Sequence, residues 1–232
     1  MRADLYVANA LNISRNKASE FIKDKKILIN GELLEKNSLD IDNAKVEIMS
    51  EIYVSRAAFK LKEFLKDTDL DLKNKTVIDV GSSTGGFIQI LLKNNVKKVV
   101  GVDVGTNQLD ETLKKDERVF VYENLDIKNF ENKEIFDILT CDISFISLNL
   151  VIEKLSKLFT EFAIILFKPQ FEVGVEAKRD KKGRVLDEKA ILKAMSKFEL
   201  NAAKQGLIML KKEKSKLKGK NGNEEYFYLF KK

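Results

Sequence analysis

From residue 56 onward, short apolar runs alternate with segments of helical periodicity. The apolar runs are strand-sized and rich in β-branched residues, as in Thr76–Val80 and Lys98–Val102. The segments that separate them, such as 85–94 and 187–205, carry apolar residues at helical spacing. Strands that alternate with helices form a mostly parallel sheet that is covered by helices on both faces. The pattern therefore predicts an α/β domain of the Rossmann-like, doubly wound type over residues 56–232.

Residues 1–50 follow another pattern and are predicted to form a small, separate α+β domain. Two segments with apolar residues at helical spacing come first, and a short strand at 27–29 follows. Asn30-Gly31 is the dipeptide most typical of a two-residue hairpin turn. Residues 51–55 are predicted to be the linker between the two domains. The lysine-rich stretches 178–184 and 211–220 are predicted to be loops.

The composition excludes several classes of protein. The chain has one cysteine, Cys141, and no histidine. Without histidine, Ser-His-Asp and Cys-His catalysis are excluded, and no metal is expected. A single cysteine cannot form an internal disulfide, which favours a reducing compartment. The sequence has no signal-peptide pattern and no apolar run of the roughly 18 residues that span a membrane, so we expect a soluble, cytoplasmic protein.

Six basic residues lie close together in the first domain, between residues 2 and 26. The whole chain has 42 Lys and Arg against 36 Asp and Glu, a net charge of +6. Short helices with basic faces can bind nucleic-acid phosphates. We predict that RNA is bound by the basic residues Arg2, Arg15, Lys17, Lys23, Lys25 and Lys26. A solvated basic face is the alternative, because clustering of charge alone is weak evidence.

A glycine-rich turn after the first predicted strand is the candidate cofactor site. The predicted contacts are Asp79, Gly81, Ser82, Ser83, Gly85, Gly86 and Phe87. Glycines at the start of a helix let a ligand approach the backbone. Ser83 stands where the dinucleotide fingerprint has its middle glycine, which disfavours an NAD-dependent enzyme.

Carboxylates near this turn indicate which ligand it binds. Asp103, at the tip of the second predicted strand, can accept hydrogen bonds from both hydroxyls of a ribose. Asp79 can pair with an ammonium group, and Asp126 can accept a hydrogen bond from an adenine amino group unless it is an ordinary surface carboxylate. A charged amino acid that carries an adenosine satisfies both Asp79 and Asp103, so the expected cofactor is S-adenosyl-L-methionine.

Four further polar residues are candidates for catalysis. Asp142 and Lys168 each follow a predicted strand, and the carboxyl ends of strands carry the ligand site in a doubly wound sheet. Without histidine, a lysine is the expected general base, and burial or a neighbouring cation must lower its pKa. Lys60 and Glu225 complete the set. Glu224 is a rival for Glu225, because adjacent residues of a strand point to opposite faces.

Several stretches resemble the TlyA haemolysin family and, more distantly, the FtsJ-like ribose methyltransferases. These stretches are 54–61 (VSRAAFKL), 79–87 (DVGSSTGGF), 141–147 (CDISFIS), 167–172 (FKPQFE) and 222–227 (GNEEYF). Residues 1–50 resemble the S4 RNA-binding domain, on Ile13-Ser14-Arg15 and the turn at 25–31. The resemblance implies an S4-like RNA-binding domain followed by a class I S-adenosylmethionine-dependent methyltransferase domain with a Rossmann-like fold.

The resemblance also implies an activity and the residues that perform it. The activity is 2′-O-methylation of a ribose in ribosomal RNA, with a cytidine of large-subunit (23S) rRNA as the target, because the chain looks like the shorter members of the family. Lys60, Asp142, Lys168 and Glu225 correspond to the family's catalytic tetrad. Lys168 would be the base, Lys60 a second cation, and the two carboxylates would orient them.

Three other functions are weighed against this one. A pore-forming haemolysin, suggested by the family's name, is disfavoured by the missing signal peptide and membrane span. An RNA-binding ribosome assembly factor without catalysis is disfavoured by the intact tetrad. An NAD-dependent enzyme is disfavoured by Ser83. The sequence leaves open which nucleotide is modified, whether free rRNA or an assembled subunit is the substrate, and the oligomeric state.

Overall fold

The computed structural model describes residues 1–48, 53–131, 134–219 and 221–232. The chain divides into two compact units, Met1–Ile52 and Tyr53–Lys232, and each is described by itself. The predicted boundary at residue 50 and the first two residues of the predicted linker 51–55 lie outside the described residues.

The first unit contains two helices and a small antiparallel sheet. Its elements are α1 (Ala3–Leu11), α2 (Arg15–Lys23), β1 (Ile27–Ile29), β2 (Glu32–Leu33) and β3 (Val46–Ile48). Ser14 caps α2 by accepting a hydrogen bond from the Lys17 N–H at 3.2 Å. Asn30 and Gly31 adopt positive φ angles of 51° and 85°, which the tight turn between β1 and β2 requires. Apolar residues of both helices, such as Val7 and Phe21, are buried together.

The second unit alternates strands and helices, as its sequence predicts. Its strands are β4 (Thr76–Val80), β5 (Lys98–Val102), β6 (Val119–Tyr122), β7 (Phe136–Cys141), β8 (Phe159–Phe167), β9 (Ile208–Lys214) and β10 (Tyr226–Lys231). Its helices are α3 (Arg56–Leu65), α4 (Gly86–Lys93), α5 (Glu111–Lys114), α6 (Ile152–Ser156), α7 (Pro169–Glu172) and α8 (Glu188–Lys204). Among the described residues, none of the helices has the length and apolar character needed to cross a bilayer.

The strand order places the site of the second unit. Over the described residues the order is β6-β5-β4-β7-β8-β10-β9. Strands β4 to β8 are parallel, and β10 runs antiparallel between β8 and β9. The chain moves outward in one direction from β4 to β6 and then returns to the other side of β4 with β7. Ligands of doubly wound sheets bind outside the carboxyl ends of strands at such a switch point. The predicted Rossmann-like fold is confirmed.

Both faces of this sheet are buried. In β4, Ile78 and Val80 face one hydrophobic cluster, and Val77 faces the other. Side chains of a strand alternate between faces, so a sheet covered on both sides has strands that are apolar throughout. Asp79 is an exception, since it is fully buried in the middle of this apolar strand.

The lysine-rich stretch 211–220 is predicted to be a loop, and this prediction is wrong for its first part. β9 continues to Lys214 and pairs with β10. β9 is the last strand of the sheet, and charged residues are favoured on an edge strand because they discourage pairing with other chains. Lys212, for example, pairs with Glu199 of α8 at 2.9 Å.

Candidate active site

A cavity of about 460 Å³ lies at the carboxyl ends of β4, β5 and β7. Its walls combine apolar side chains with carboxylates. The apolar part includes Val102, Leu125, Ile127 and Ile146, and the carboxylates are Asp103, Asp126 and Asp142. This is the switch point of the sheet, where a doubly wound domain binds its ligand.

Gly81 is required where β4 leaves the sheet. Its φ is +83°, and a Cβ built on it would lie 2.9 Å from the carbonyl oxygen of Asp142. A side chain here would therefore collide with the backbone that follows β7. Gly81 and Asp142 both line the cavity, so this close approach shapes its floor.

Asp103 connects two loops of the cavity. Its Oδ2 accepts a hydrogen bond from the Ser83 N–H at 2.8 Å, and its Oδ1 accepts one from the Gly105 N–H at 2.7 Å. The glycine-rich turn is thereby held against the loop that follows β5. Asp126 begins a short 3₁₀ turn and accepts a hydrogen bond from the Lys128 N–H at 2.9 Å.

Gly85, Gly86 and Phe87 lie against protein atoms. A Cβ on Gly85 would lie 2.4 Å from Leu113 Cδ1, and one on Gly86 would lie 2.8 Å from the Ala58 backbone nitrogen. The ring of Phe87 is buried and stacks on Phe227 at 6.2 Å. None of these three residues lines the first cavity, whereas Gly86 and Phe87 line the cavity beside it. The packing of α4 on its neighbours accounts for both glycines, and their predicted contact with a cofactor stays a prediction.

Asp79 also lines neither this cavity nor the one beside it. Its Oδ1 accepts a hydrogen bond from the Thr140 hydroxyl at 2.6 Å, while Oδ2 has no donor among the described residues. Burial raises the pKa of Asp79 to about 7, and the nearby carboxylates of Asp142 and Asp103 act in the same direction. A donor that approached Oδ2 would satisfy an atom that is otherwise buried without a partner.

A second cavity of about 310 Å³ adjoins the first. Arg56 and Lys168 line it, together with the buried Ser82. Asp142 and Ser144 line both cavities. A group in one cavity and a group in the other would therefore meet beside Asp142.

Lys168 is buried and held at this junction. Its Nζ lies 2.7 Å from Asp142 Oδ1 and donates a hydrogen bond to the Ser144 hydroxyl at 2.8 Å. Burial raises the pKa of Asp142, and the charge of Lys168 opposes that shift. The strand ends of β7 and β8 thus bring together the two residues that the sequence places there.

Lys60 and Glu225 form a second buried ion pair. Lys60 Nζ lies 2.5 Å from Glu225 Oε2, and the Gln170 amide donates a hydrogen bond to Glu225 Oε1 at 3.2 Å. Gln170, two residues after Lys168, thus connects the segment of one ion pair to the other pair, and the charges of Lys60 and Glu225 also affect the pKa of Asp142. Glu224 instead pairs with Lys214 at the surface, which decides between the two glutamates.

Three residues of the site were not singled out by sequence reasoning. They are Ser144, Gln170 and Glu172, and all lie in the stretches CDISFIS and FKPQFE. Glu172 accepts hydrogen bonds from the Ser147 hydroxyl at 2.6 Å and the Leu148 N–H at 2.7 Å, so it fixes the loop that follows β7. These residues could have been found in the sequence, because each is a polar residue within a stretch that the family resemblance had already selected.

The predicted RNA-binding residues of the first unit form ion pairs of two kinds, one with a buried carboxylate and the other with surface carboxylates. Arg2 Nη2 and Arg15 Nη2 each lie 3.0 Å from Asp4 Oδ2, and Asp4 is buried while both arginines are about half exposed. One carboxylate thus brings two guanidinium groups together. Lys17, Lys25 and Lys26 pair with surface carboxylates at 2.9–3.1 Å.

Nothing in the described part of the chain forms a cluster of three or more His, Cys, Asp or Glu side chains that could hold a metal ion. Cys141 is fully buried at the end of β7, and burial raises the pKa of its thiol to about 12. A thiol in that state is a poor nucleophile.

Known proteins share this architecture and sequence. Residues 53–232 match the FtsJ-like methyltransferases. The chain is 46% identical to the 23S rRNA (cytidine-2′-O)-methyltransferase TlyA of Campylobacter jejuni, over 99% of both chains. A solved structure from Streptococcus thermophilus that has the word hemolysin in its name is 31% identical, with a TM-score of 0.74 and coverage of 100% of this chain and 88% of that one.

A more distant structure shares the fold alone. The S-adenosylmethionine-dependent methyltransferase of Mesorhizobium loti is 10% identical, with a TM-score of 0.54, and the match covers 75% of this chain and 98% of that one. The family match to residues 53–232 includes the whole sheet and every residue of the two buried ion pairs. The paired cavities at the switch point therefore belong to a member of the FtsJ-like methyltransferase family.

Proposed function

We propose that this chain transfers the methyl group of S-adenosyl-L-methionine to the 2′-hydroxyl of a ribose in ribosomal RNA, with a cytidine of 23S rRNA as the target. The observation that carries the proposal is the junction at Asp142, where a cofactor-sized cavity meets a second cavity that holds Lys168. The name of the Campylobacter relative supplies the RNA and the nucleotide.

The first cavity fits the cofactor by its chemistry. Asp103 offers carboxylate oxygens to ribose hydroxyls, Asp126 offers one to the adenine amino group, and the apolar walls suit the adenine ring. Asp79 Oδ2, which is buried without a donor in the described part of the chain, suits the ammonium group. When bound, S-adenosyl-L-methionine supplies an electrophilic methyl group on its sulfonium.

The second cavity fits the base catalysis that a ribose hydroxyl requires. A ribose 2′-hydroxyl that received the methyl group would lose its proton to Nζ of Lys168, which must be neutral to accept it. Asp142 and Ser144 fix the position of that Nζ. Lys60, which pairs with Glu225, provides a second cation at the same cluster, and Gln170 donates a hydrogen bond to that glutamate.

The first unit is proposed to be an S4-like RNA-binding domain. Its two helices and three-stranded sheet present Arg2 and Arg15 side by side on Asp4, a spacing that suits a phosphate group. Since ribosomal subunits would be the partner, the proposed location of the protein is the cytoplasm.

Transfer of labelled methyl from S-adenosyl-L-methionine tests the proposed function. Large subunits, small subunits and free rRNA that lack the modification are incubated separately with the protein. We expect label in large-subunit rRNA at a single site, with the labelled linkage resistant to alkaline cleavage because its 2′-hydroxyl is blocked. Binding of the protein to subunits without transfer of label would instead support an assembly factor.

Asp79 gives the protein a pH dependence that asparagine should remove. Its folded pKa of about 7 lies above the ordinary value of 3.8, so the folded state binds the proton more tightly. The protonated Asp79 therefore stabilises the folded state. This contribution is fully present below about pH 4 and is lost as the pH rises through about 7. By urea unfolding of cofactor-free protein, wild type should lose up to about 4 kcal/mol relative to Asp79→Asn between pH 4 and pH 8.

The same substitution should weaken cofactor binding. Asparagine cannot supply a negative charge to an ammonium group. At pH 8 the variant is therefore expected to bind S-adenosyl-L-methionine more weakly than wild type, as measured by calorimetry, although the variant is the more stable of the two proteins. If the free energies of unfolding of the two proteins differed by the same amount from pH 4 to pH 8, the raised pKa of Asp79 would be contradicted.

A further inference from the structure

Residues 178–186 form a closed turn, called here the basic hairpin. Arg179 and Val185 make an antiparallel bridge, and the Leu186 N–H donates a hydrogen bond to the Lys178 carbonyl at 2.8 Å. Inside the turn, the Asp180 carboxylate accepts hydrogen bonds from the N–H groups of Lys182 and Arg184 at 2.8 and 2.9 Å. These bonds give the tip a defined conformation, although its sequence reads as a loop.

The basic hairpin is hydrogen-bonded to the segments that lie next to Lys168 and Glu225 in the chain. Arg179 Nη2 donates hydrogen bonds to the carbonyl oxygens of Gln170 and Val173, at 3.2 and 3.3 Å, on the helix that follows Lys168. On the other side, the buried Asn223 accepts a hydrogen bond from the Val185 N–H at 2.9 Å, two residues before Glu225. The hairpin is therefore a fixed neighbour of the cluster.

The charge of the hairpin is strongly positive. Residues 178–184 contain five basic side chains and one acidic one. Asp180 pairs with Arg184 at 3.2 Å, whereas Lys181 and Lys182 are exposed at the tip and have no ion-pair partner among the described residues. An open depression beside the tip is lined by three basic side chains and one acidic one, together with two small residues: Lys181, Lys182, Arg184, Asp180, Asn221 and Gly222. Uncompensated charge at a concave, ordered surface is suited to an anion.

We propose that the basic hairpin binds the phosphate backbone of the RNA that flanks the target ribose. This inference rests on the proposed function. A ribose that reaches Lys168 belongs to a continuous chain with one negative charge per nucleotide, and that chain must leave the second cavity past neighbouring surface. Lysine contacts to phosphate are independent of sequence and position the RNA without reading its bases.

The test compares two double variants. Lys181→Ala with Lys182→Ala removes the charge at the tip. Lys73→Ala with Lys97→Ala removes the same charge from two exposed lysines of the same unit. They lie just before β4 and β5, at the amino ends of the parallel strands and away from the carboxyl ends. Binding to large subunits without cofactor and steady-state methyl transfer are both measured over a range of salt concentrations.

For the hairpin variant at physiological salt, we expect the affinity for the subunit to fall and the KM to rise, each on the order of tenfold. The kcat should stay within twofold of wild type. The slope of log affinity against log salt should decrease by about one per lysine. The control variant should match wild type in both.

Unchanged binding and salt slope in the hairpin variant would overturn the inference and leave the hairpin a solvated loop. A lower kcat with unchanged binding would also overturn it, because the hairpin would then act on the cluster and not on the RNA. Failure of the proposed function is recognised separately, since wild type would then transfer no methyl while the binding comparison still reports on the hairpin.

Discussion

Replacing Lys168 by alanine is expected to lower kcat for methyl transfer by about 10²- to 10⁴-fold, the contribution of a positioned general base. Affinity for S-adenosyl-L-methionine should change little, because Lys168 lines the second cavity and not the first. The measurement is single-turnover transfer of labelled methyl to large subunits, with cofactor affinity determined in parallel by calorimetry.

Lys168→Arg separates a base from a fixed positive charge. Arginine can keep the ion pair with Asp142 but does not give up its proton, so it should be as inactive as alanine if Lys168 is the base. Activity of the arginine variant within tenfold of wild type would contradict that role and assign Lys168 a purely electrostatic one. Arginine also avoids leaving Asp142 buried without its partner, which distinguishes lost chemistry from lost stability.

Glu225→Ala is expected to cost about 3–5 kcal/mol of unfolding free energy, because it leaves the buried Lys60 without its counter-charge. Replacing both partners by methionine should restore most of that stability, since no charge is then left buried. The double variant should nevertheless remain inactive in methyl transfer. Urea unfolding and the labelled-methyl assay together measure both properties.

Lys75 and Glu161 provide a matched control within the same unit. Their distances, 2.6 and 2.7 Å, are as short as those of the buried pair, but their side chains are 29% and 34% exposed. Glu161→Ala should therefore cost at most about 1 kcal/mol and leave activity unchanged. An active Lys60–Glu225 double variant would show that the buried pair serves stability alone.

Much of the fold could be predicted because a parallel sheet that is buried on both faces has a recognisable pattern in short stretches of sequence. Val77, Ile78 and Val80 are apolar in succession, and the helices between strands repeat at helical spacing. The end of a strand is also a local feature, and the ends of parallel strands meet at one edge. For that reason Asp142 and Lys168 could be expected to meet, and they do.

Residues whose role depends on distant contacts were harder to place. Gly85 and Gly86 have the pattern of a ligand-binding turn, yet Leu113 and Ala58 occupy the space beside them. A sequence does not show whether a missing side chain makes room for a ligand or for another helix. Likewise, nothing near Asp4 in the sequence indicates that it holds Arg15 as well as Arg2.

The sequence by itself determined the order of the elements, the Rossmann-like class of the second unit and the strand ends that border its candidate site, because these follow from periodicity and from turn residues. Only the tertiary structure decided that Glu225 and not Glu224 pairs with Lys60, which is 165 positions away. It alone showed that Asp79 Oδ2 is buried without a donor among the described residues. It also showed that the basic hairpin is bonded to the segments next to Lys168 and Glu225. Periodicity shows which face of an element is buried, but it does not show which residues far apart in the chain come into contact, because that depends on how the elements pack together.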